Sequence, residues 1–490
     1  MRILKAGLLV AVLPLVAAPA AAGTQYYVRP DGNDTQCNGR YNQPVASGPD
    51  CAFLSPQRAF DENGTPAGEY LHSESGDDLW IAAGTYGRFE IPALFRGLPN
   101  DRTIITGDPA VSRLLVKVEA QGTQEEAILI RSNKFNPTDY LTIQHLSFKA
   151  GTKHGIHAAE MIRHVAFTDL EAGPADFANL CCRTSHDDSA AVIRVGDSDN
   201  TGSTDIQVTF SRFIGPAPGP PVSGILGANA SVFVLHASES RIHQVEASHF
   251  LGSFAAEISH NTIVENNTFS NSVCGDFDGC IFSYNDHDVL IRRNVLHTIR
   301  PGGQMPAIKL RRNPAETDDV EAYVYNNTLI GAPNIIDGSP NIGMNFFMPT
   351  GSSANSTRGV FLNNIVMNLG NPSGSSNYAV VLAHCPTAQR EIDYNNFWNN
   401  AIDPNSGQPR NFLNSAAAPC STETYNANSF SYNPQLNAAF QPPAGHPLCG
   451  AGSTGFTAEY DGDSSSSYVG ARPCAAGGGG GGCHPFCYED

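Results

Sequence analysis

Lysine is scarce in this 490-residue chain, with six copies counting Lys5. One of them, Lys309, stands third in the phrase Ala307-Ile-Lys-Leu310. Five earlier phrases share its shape: Gly155-Ile-His-Ala158, Val192-Ile-Arg-Val195, Val234-Leu-His-Ala237, Ala255-Ala-Glu-Ile258 and Cys280-Ile-Phe-Ser283. The second and fourth residues are apolar or small in every phrase, as in a strand with one face inside, so the third residues point outward together. The outward set is His157, Arg194, His236, Glu257, Phe282 and Lys309. With strands about 4.8 Å apart, two imidazoles, a guanidinium, a carboxylate, a ring and an amine share one groove.

Those groups suit β-elimination on a uronic acid. A base removes the proton beside a carboxyl group, a cation stabilises the enolate-like charge, and an acid protonates the leaving oxygen. Lys309 or His236 is the candidate base. Arg194 is the candidate carboxylate clamp, because its fork binds bidentately, and His157 is the acid or a subsite contact. Phe282 offers a face for sugar stacking, and Arg311 and Arg312 extend a basic rim for an anionic chain. Glu257 can steady Lys309 or, with Asp276 and Asp278 of the loop Cys274-Gly-Asp-Phe-Asp-Gly-Cys280, ligate Ca²⁺. The same carboxylates support a glycoside hydrolase, in which Glu257 works with Asp276 or Asp278. The plain alternatives are mutually satisfied surface charges and an ordinary acidic turn, which leave a non-catalytic, glycan-binding surface protein.

The elements that position these residues are short and repeated. Val264-Glu-Asn-Asn-Thr-Phe269, Ile291-Arg-Arg-Asn-Val-Leu296, Val324-Tyr-Asn-Asn-Thr-Leu329, Phe361-Leu-Asn-Asn-Ile-Val366 and Asp393-Tyr-Asn-Asn-Phe-Trp398 superpose with Asn267, Asn294, Asn327, Asn364 and Asn396 in one column. Earlier phrases place Thr168, Ser211 and Ser248 there. Periods in the twenties and thirties, β-branched residues and no long 3.6-residue periodicity indicate stacked β coils. Asparagine at a recurrent bend can bond to its copies above and below and tolerates a left-handed backbone.

With these coils, Tyr26-Tyr-Val-Arg-Pro-Asp-Gly-Asn-Asp34 and Gly76-Asp-Asp-Leu-Trp-Ile-Ala-Ala-Gly-Thr-Tyr86, the chain resembles the pectate-lyase-like superfamily from about Tyr26 to Asn400. The resemblance implies an all-β fold, a right-handed parallel β-helix of about ten coils. It does not specify an activity, because the superfamily spans lyases, hydrolases, epimerases, tailspikes and adhesins. Glu257 and Lys309 loosely match the lysine base and carboxylates of calcium-dependent β-helix lyases, without a shared motif. The polygalacturonase set of Asn-Thr-Asp, paired aspartates and Gly-His-Gly is absent.

Residues 1–22 read as a signal peptide, with Arg2 and Lys5 before the apolar stretch Ala6 to Val16 and a small-residue end at Ala20-Ala21-Ala22. The expected order is then a β-helix over 23–400, a loop-rich cap over 401–462 and a Ser/Gly-rich flexible tail over 463–490. Twelve cysteines in an exported chain indicate disulfides. The pairs expected are Cys37–Cys51, Cys274–Cys280, Cys385–Cys420, Cys449–Cys474 and Cys483–Cys487, with Cys181 and Cys182 unassigned. The net charge of -18 argues against nucleic acid as a partner. The expected molecule is a secreted monomer without a membrane span.

Overall fold

The computed structural model describes residues 23–45, 48–61, 70–132, 135–177, 191–196, 202–215, 230–235, 237–250, 252–257, 259–274, 280–284, 288–301, 306–311, 320–332, 343–347, 357–369, 380–383, 390–400, 402, 412–414, 424–425, 428–453 and 468–475. They form a parallel β-helix. One face is an eleven-stranded sheet whose neighbours follow chain order, from Phe89–Ile91 through His154–Ala158, Ala191–Val195, Ala230–Leu235, Gly252–Glu257, Ile281–Tyr284 and Ile308–Arg311 to Phe412–Asn414. A second sheet of 24 strands makes the remaining faces, and every paired strand in both runs parallel to its partner. Each coil adds one rung to each face, so the interior is a stack of equivalent side chains. Ile156, Ile193, Val232, Phe254, Ile281, Ile308 and Met344 are paired rung to rung and buried.

The bends explain the asparagines. Asn267 donates its side-chain amide to Ile242 O at 3.0 Å and to Asn294 Oδ1 at 2.9 Å. Asn294 repeats this toward Asn327, Asn327 toward Asn364, and Asn364 toward Asn395. The column therefore ends on Asn395, one residue before the expected Asn396, and Ser429 Oγ closes it by accepting from Asn395 N. At its other end Asn267 Oδ1 accepts from Val245 N, and Ser211 Oγ accepts from Leu170 N. Ser211 thus holds the expected place, but Val245 and Leu170 stand where Ser248 and Thr168 were expected. The left-handed backbone belongs to the residue before each column member: Asp169, Phe210, Gln244, Asn266, Arg293, Asn326, Asn363 and Tyr394 all have φ near +50° to +57°. The ladder asparagine itself supplies a buried amide for the orphaned backbone groups of the bend.

Disulfides join Cys37 to Cys51, Cys274 to Cys280 and Cys449 to Cys474, three of the expected pairs. Cys181, Cys182, Cys385, Cys420, Cys483 and Cys487 lie outside the described residues. Within 463–490, residues 468–475 lie against the coils. Asn326 Nδ2 donates to Tyr468 O, Gly470 N to Asn363 O, Ala471 N to Thr328 Oγ1 and Arg472 Nη1 to Arg293 O. Among the described residues no helix is long and apolar enough to cross a membrane.

Candidate functional site

The eleven-stranded sheet carries the outward side chains. Its register pairs Glu90 with Leu129, Leu129 with His157, His157 with Arg194, Arg194 with Phe233, Phe233 with Ala255, Ala255 with Phe282, Phe282 with Lys309 and Lys309 with Asn345. His157, Arg194, Phe282 and Lys309 share a column as expected. Glu257 does not belong to it. Its register partners are Leu235 and Tyr284, so it stands two residues further along the strand, and Ala255 takes the expected place. Val234 is buried and pairs with Ala256, and Phe233 takes the rung beside Arg194. His236 lies three residues beyond that rung, outside the described residues, as do Asp276, Asp278 and Arg312.

Lys309 sits in a two-by-two grid. Phe282 and Tyr284 are paired with Lys309 and Arg311 on adjacent strands, about 4.8 Å away. The rings of Phe282 and Tyr284 stack at 6.1 Å with an interplanar angle of 13°. The Arg311 guanidinium lies 5.4 Å from the Tyr284 ring centroid, near enough for a cation–π contact. Lys309 is half-buried, Arg311 exposed, and Phe282 fully buried. Lys309 and Arg311 are alternate residues of one strand, about 6.6 Å apart at Cα, and project from the same face. The grid therefore offers an amine, a guanidinium fork and a phenol within the span of one sugar ring.

Arg194 stands four rungs from Lys309, about 19 Å away. That separation prevents the two from acting on one uronate. Arg194 is 1% exposed, and its Nε donates to Gly196 O at 3.3 Å. His157 lies one rung further, its ring 4.7 Å from that of His154. Burial pushes the His154 imidazole well below 6.5, so it is neutral, and its Nδ1 accepts from Ala191 N.

Beyond His157 the sheet presents a network that no sequence motif announced. Arg88 binds Glu126 through Nε at 3.1 Å and through Nη2, and Glu90 through Nη1 at 2.5 Å. Glu90 also accepts from Arg131 Nε at 2.5 Å. The Arg131 hydrogen bond above all holds the Glu90 carboxyl below the usual range, with Arg88 adding to it against the effect of burial. Burial alone would lower the Arg88 guanidinium, but its bonds to Glu126 and Glu90 outweigh that and raise it. A cleft of about 510 Å³ opens beside this network, with Leu129 and His157 among its walls.

The larger sheet holds a further charged cluster. Glu265, 1% exposed, accepts from Arg241 Nε at 2.7 Å and Arg292 Nε at 2.6 Å, and lies 3.3 Å from His243 Nδ1. Burial alone would raise its carboxyl, yet His243, Arg292 and Arg241 together hold it far below the ordinary range. The signal was present in the repeat, since Glu265 and Arg292 are the second residues of consecutive ladder phrases. Among the described residues, no three His, Cys, Asp or Glu side chains gather as a metal site.

No family model matches the chain, and no characterised protein matches it by sequence. Solved structures do. Pectate lyase Pel9A superposes over 93% of this chain and 98% of its own, with a TM-score of 0.52 and 12% identity. The alginate lyase from Paenibacillus sp. str. FPU-7 covers 70% of this chain and 93% of its own, at TM-score 0.39 and 15% identity. The lacto-N-biosidase from Eubacterium ramulus covers 84% and 68%, at TM-score 0.41 and 10% identity. At these identities the first likeness establishes the parallel β-helix and nothing of the chemistry.

Proposed function

We propose that the protein is a secreted polysaccharide lyase acting on an acidic, uronate-containing chain, with Lys309 as base and Arg311 as the clamp on the uronate carboxylate. The observation that carries this reading is the grid itself: the scarce amine and a guanidinium fork alternate on one strand beside the stacked Phe282 and Tyr284. In the reaction the Lys309 amine takes the proton beside the carboxyl carbon, and that electron pair forms the new C=C bond. The glycosidic C–O bond at the next carbon breaks, and the leaving oxygen gains a proton. Tyr284 brings an O–H to the same grid and is the proposed donor. Arg311 neutralises the carboxylate as charge builds on it, a contribution realised mainly in the transition state. Arg194 and His157, four and five rungs away, are outside reach of this bond. Calcium through Glu257, Asp276 and Asp278 remains a proposal, and no step is routed through it.

The test is incubation of the purified protein with alginate, pectate, chondroitin and neutral glycans, with and without calcium, following absorbance of unsaturated ends and release of reducing ends. The proposal expects absorbance from at least one acidic polymer and its loss in Lys309→Ala and Arg311→Ala. Reducing ends without absorbance would replace it with hydrolysis. No product from any polymer would leave a glycan-binding surface protein.

A further inference from the structure

The cleft at the first coils is lined by Arg88, by residues 123–126, by Leu129 and His157 of the strands Ile128–Ile130 and His154–Ala158, and by Arg131. Arg131 is its open donor. Its Nε is tied to Glu90, its side chain is 58% exposed, and among the described residues its two terminal nitrogens have no hydrogen-bond partner. Arg88, by contrast, has spent all three of its nitrogens on Glu126 and Glu90. Glu90 therefore fixes the Arg131 plane while leaving its far edge facing outward. That edge has the spacing that matches a carboxylate oxygen pair. Thr123 and Gln124 line the same cleft with a hydroxyl and an amide, groups that pair with sugar hydroxyls, and Leu129 and His157 give it a partly apolar wall.

From these features we infer that the cleft is a second saccharide-binding site, which takes the carboxylate of a uronate residue on Arg131. The identity of the ligand rests on the acidic-polysaccharide reading above; the cleft and its donor geometry do not. The site is separate from the Lys309 grid. His157 and Lys309 are five rungs apart, about 24 Å, and Arg194 between them is fully buried. A polymer can occupy both sites at once, and the second contact then raises affinity by making rebinding intramolecular. The charges of Arg88 and Arg131 are balanced by Glu90 and Glu126, and Glu125, also on the wall, is paired with Lys153 at 3.1 Å, so recognition comes from the fork rather than from a net field. Lysine in place of Arg131 keeps the charge and loses the fork.

The test measures binding by calorimetry in the Lys309→Ala/Arg311→Ala background, which removes both cations of the grid. The probes are saturated tetragalacturonate, tetramannuronate and the neutral cellotetraose. We expect one acidic tetramer to bind, and affinity to fall at least tenfold on adding either Arg131→Ala or Arg131→Lys. Both variants alter an exposed side chain, and an unchanged melting temperature will verify the fold. Equal binding with and without Arg131, equal binding of cellotetraose, or no binding of any tetramer would overturn the inference. Because the measurement needs no turnover, a failure of lyase activity in the parent protein reads separately from a failure of the cleft.

Discussion

Replacing Asn327 with alanine should cost a large part of the stability of the β-helix. The Asn327 amide donates to Ile291 O at 2.9 Å and Asn364 Oδ1 at 3.0 Å, while its oxygen accepts from Asn294 N and Asn294 Nδ2, both at 3.0 Å. Asn294, Asn327 and Asn364 are all completely buried. Alanine removes these bonds and leaves the Asn294 backbone N–H without its acceptor in a dry bend. An orphaned buried donor costs about 1–3 kcal/mol, and each further bond lost costs about 1 kcal/mol. The sum over the four bonds is about 4–6 kcal/mol, set against a total stability of about 5–15 kcal/mol for an ordinary domain. Asn327→Asp should do no better. It keeps one acceptor for Asn294 but turns a second carboxylate oxygen toward Ile291 O and Asn364 Oδ1, both acceptors. The assay is urea unfolding of the disulfide-intact protein followed by far-UV circular dichroism, with hydrogen exchange of the Asn294 amide as the local readout. A loss below about 1 kcal/mol, with that amide still protected, would refute the claim that the ladder sustains the bends.

Glu265→Gln takes the carboxylate from the mostly buried Arg292 and the half-exposed Arg241 and should cost about 3 kcal/mol at neutral pH, the low end for a buried pair because Arg241 keeps contact with water. Because the Glu265 carboxyl is depressed in the fold, its contribution is complete above the ordinary value of 4.5 and is lost as pH falls through the folded value. The gap in melting temperature between parent and variant should therefore narrow in strong acid, and a gap independent of pH would contradict it. His154 is held neutral by burial, so the unfolded chain gains a proton that the fold refuses as pH drops below 6.5. Stability should fall there by up to about 1.4 kcal/mol per pH unit, and His154→Gln should flatten that slope in melts between pH 5 and 7. Cys449→Ser opens a link of sequence separation 25 that ties residues 468–475 to the short turn Pro447–Cys449. It should lower stability by about 3 kcal/mol and expose that segment to protease, and equal proteolysis rates would count against it.

What was legible in the sequence follows from what the lattice forces. Alternation has a period of two, so the shared column of His157, Arg194, Phe282 and Lys309 could be read from the sequence, but not that Arg194 and Phe282 would be covered and fully buried. Register could not, because loops of unequal length separate the coils and a strand such as Gly252–Glu257 satisfies the alternation equally well when slid by two residues. That slip moved Glu257 into the column where Ala255 stands. The Asn ladder was readable because each bend orphans the same backbone groups and selects the same amide. It drifted by one residue at Asn395, where Asn395 and Asn396 are adjacent and both buried. The Arg88–Glu90–Glu126–Arg131 network left no pattern at all, since its members come from different coils and no repeat demands them. Register then limits which side chains can meet one sugar. Rungs quantise distance along the helix in steps of about 4.8 Å, so partners for one sugar must lie on the same strand or the next. That constraint favours Arg311 over Arg194 as the cation for Lys309, and it separates the grid from the cleft at Arg131.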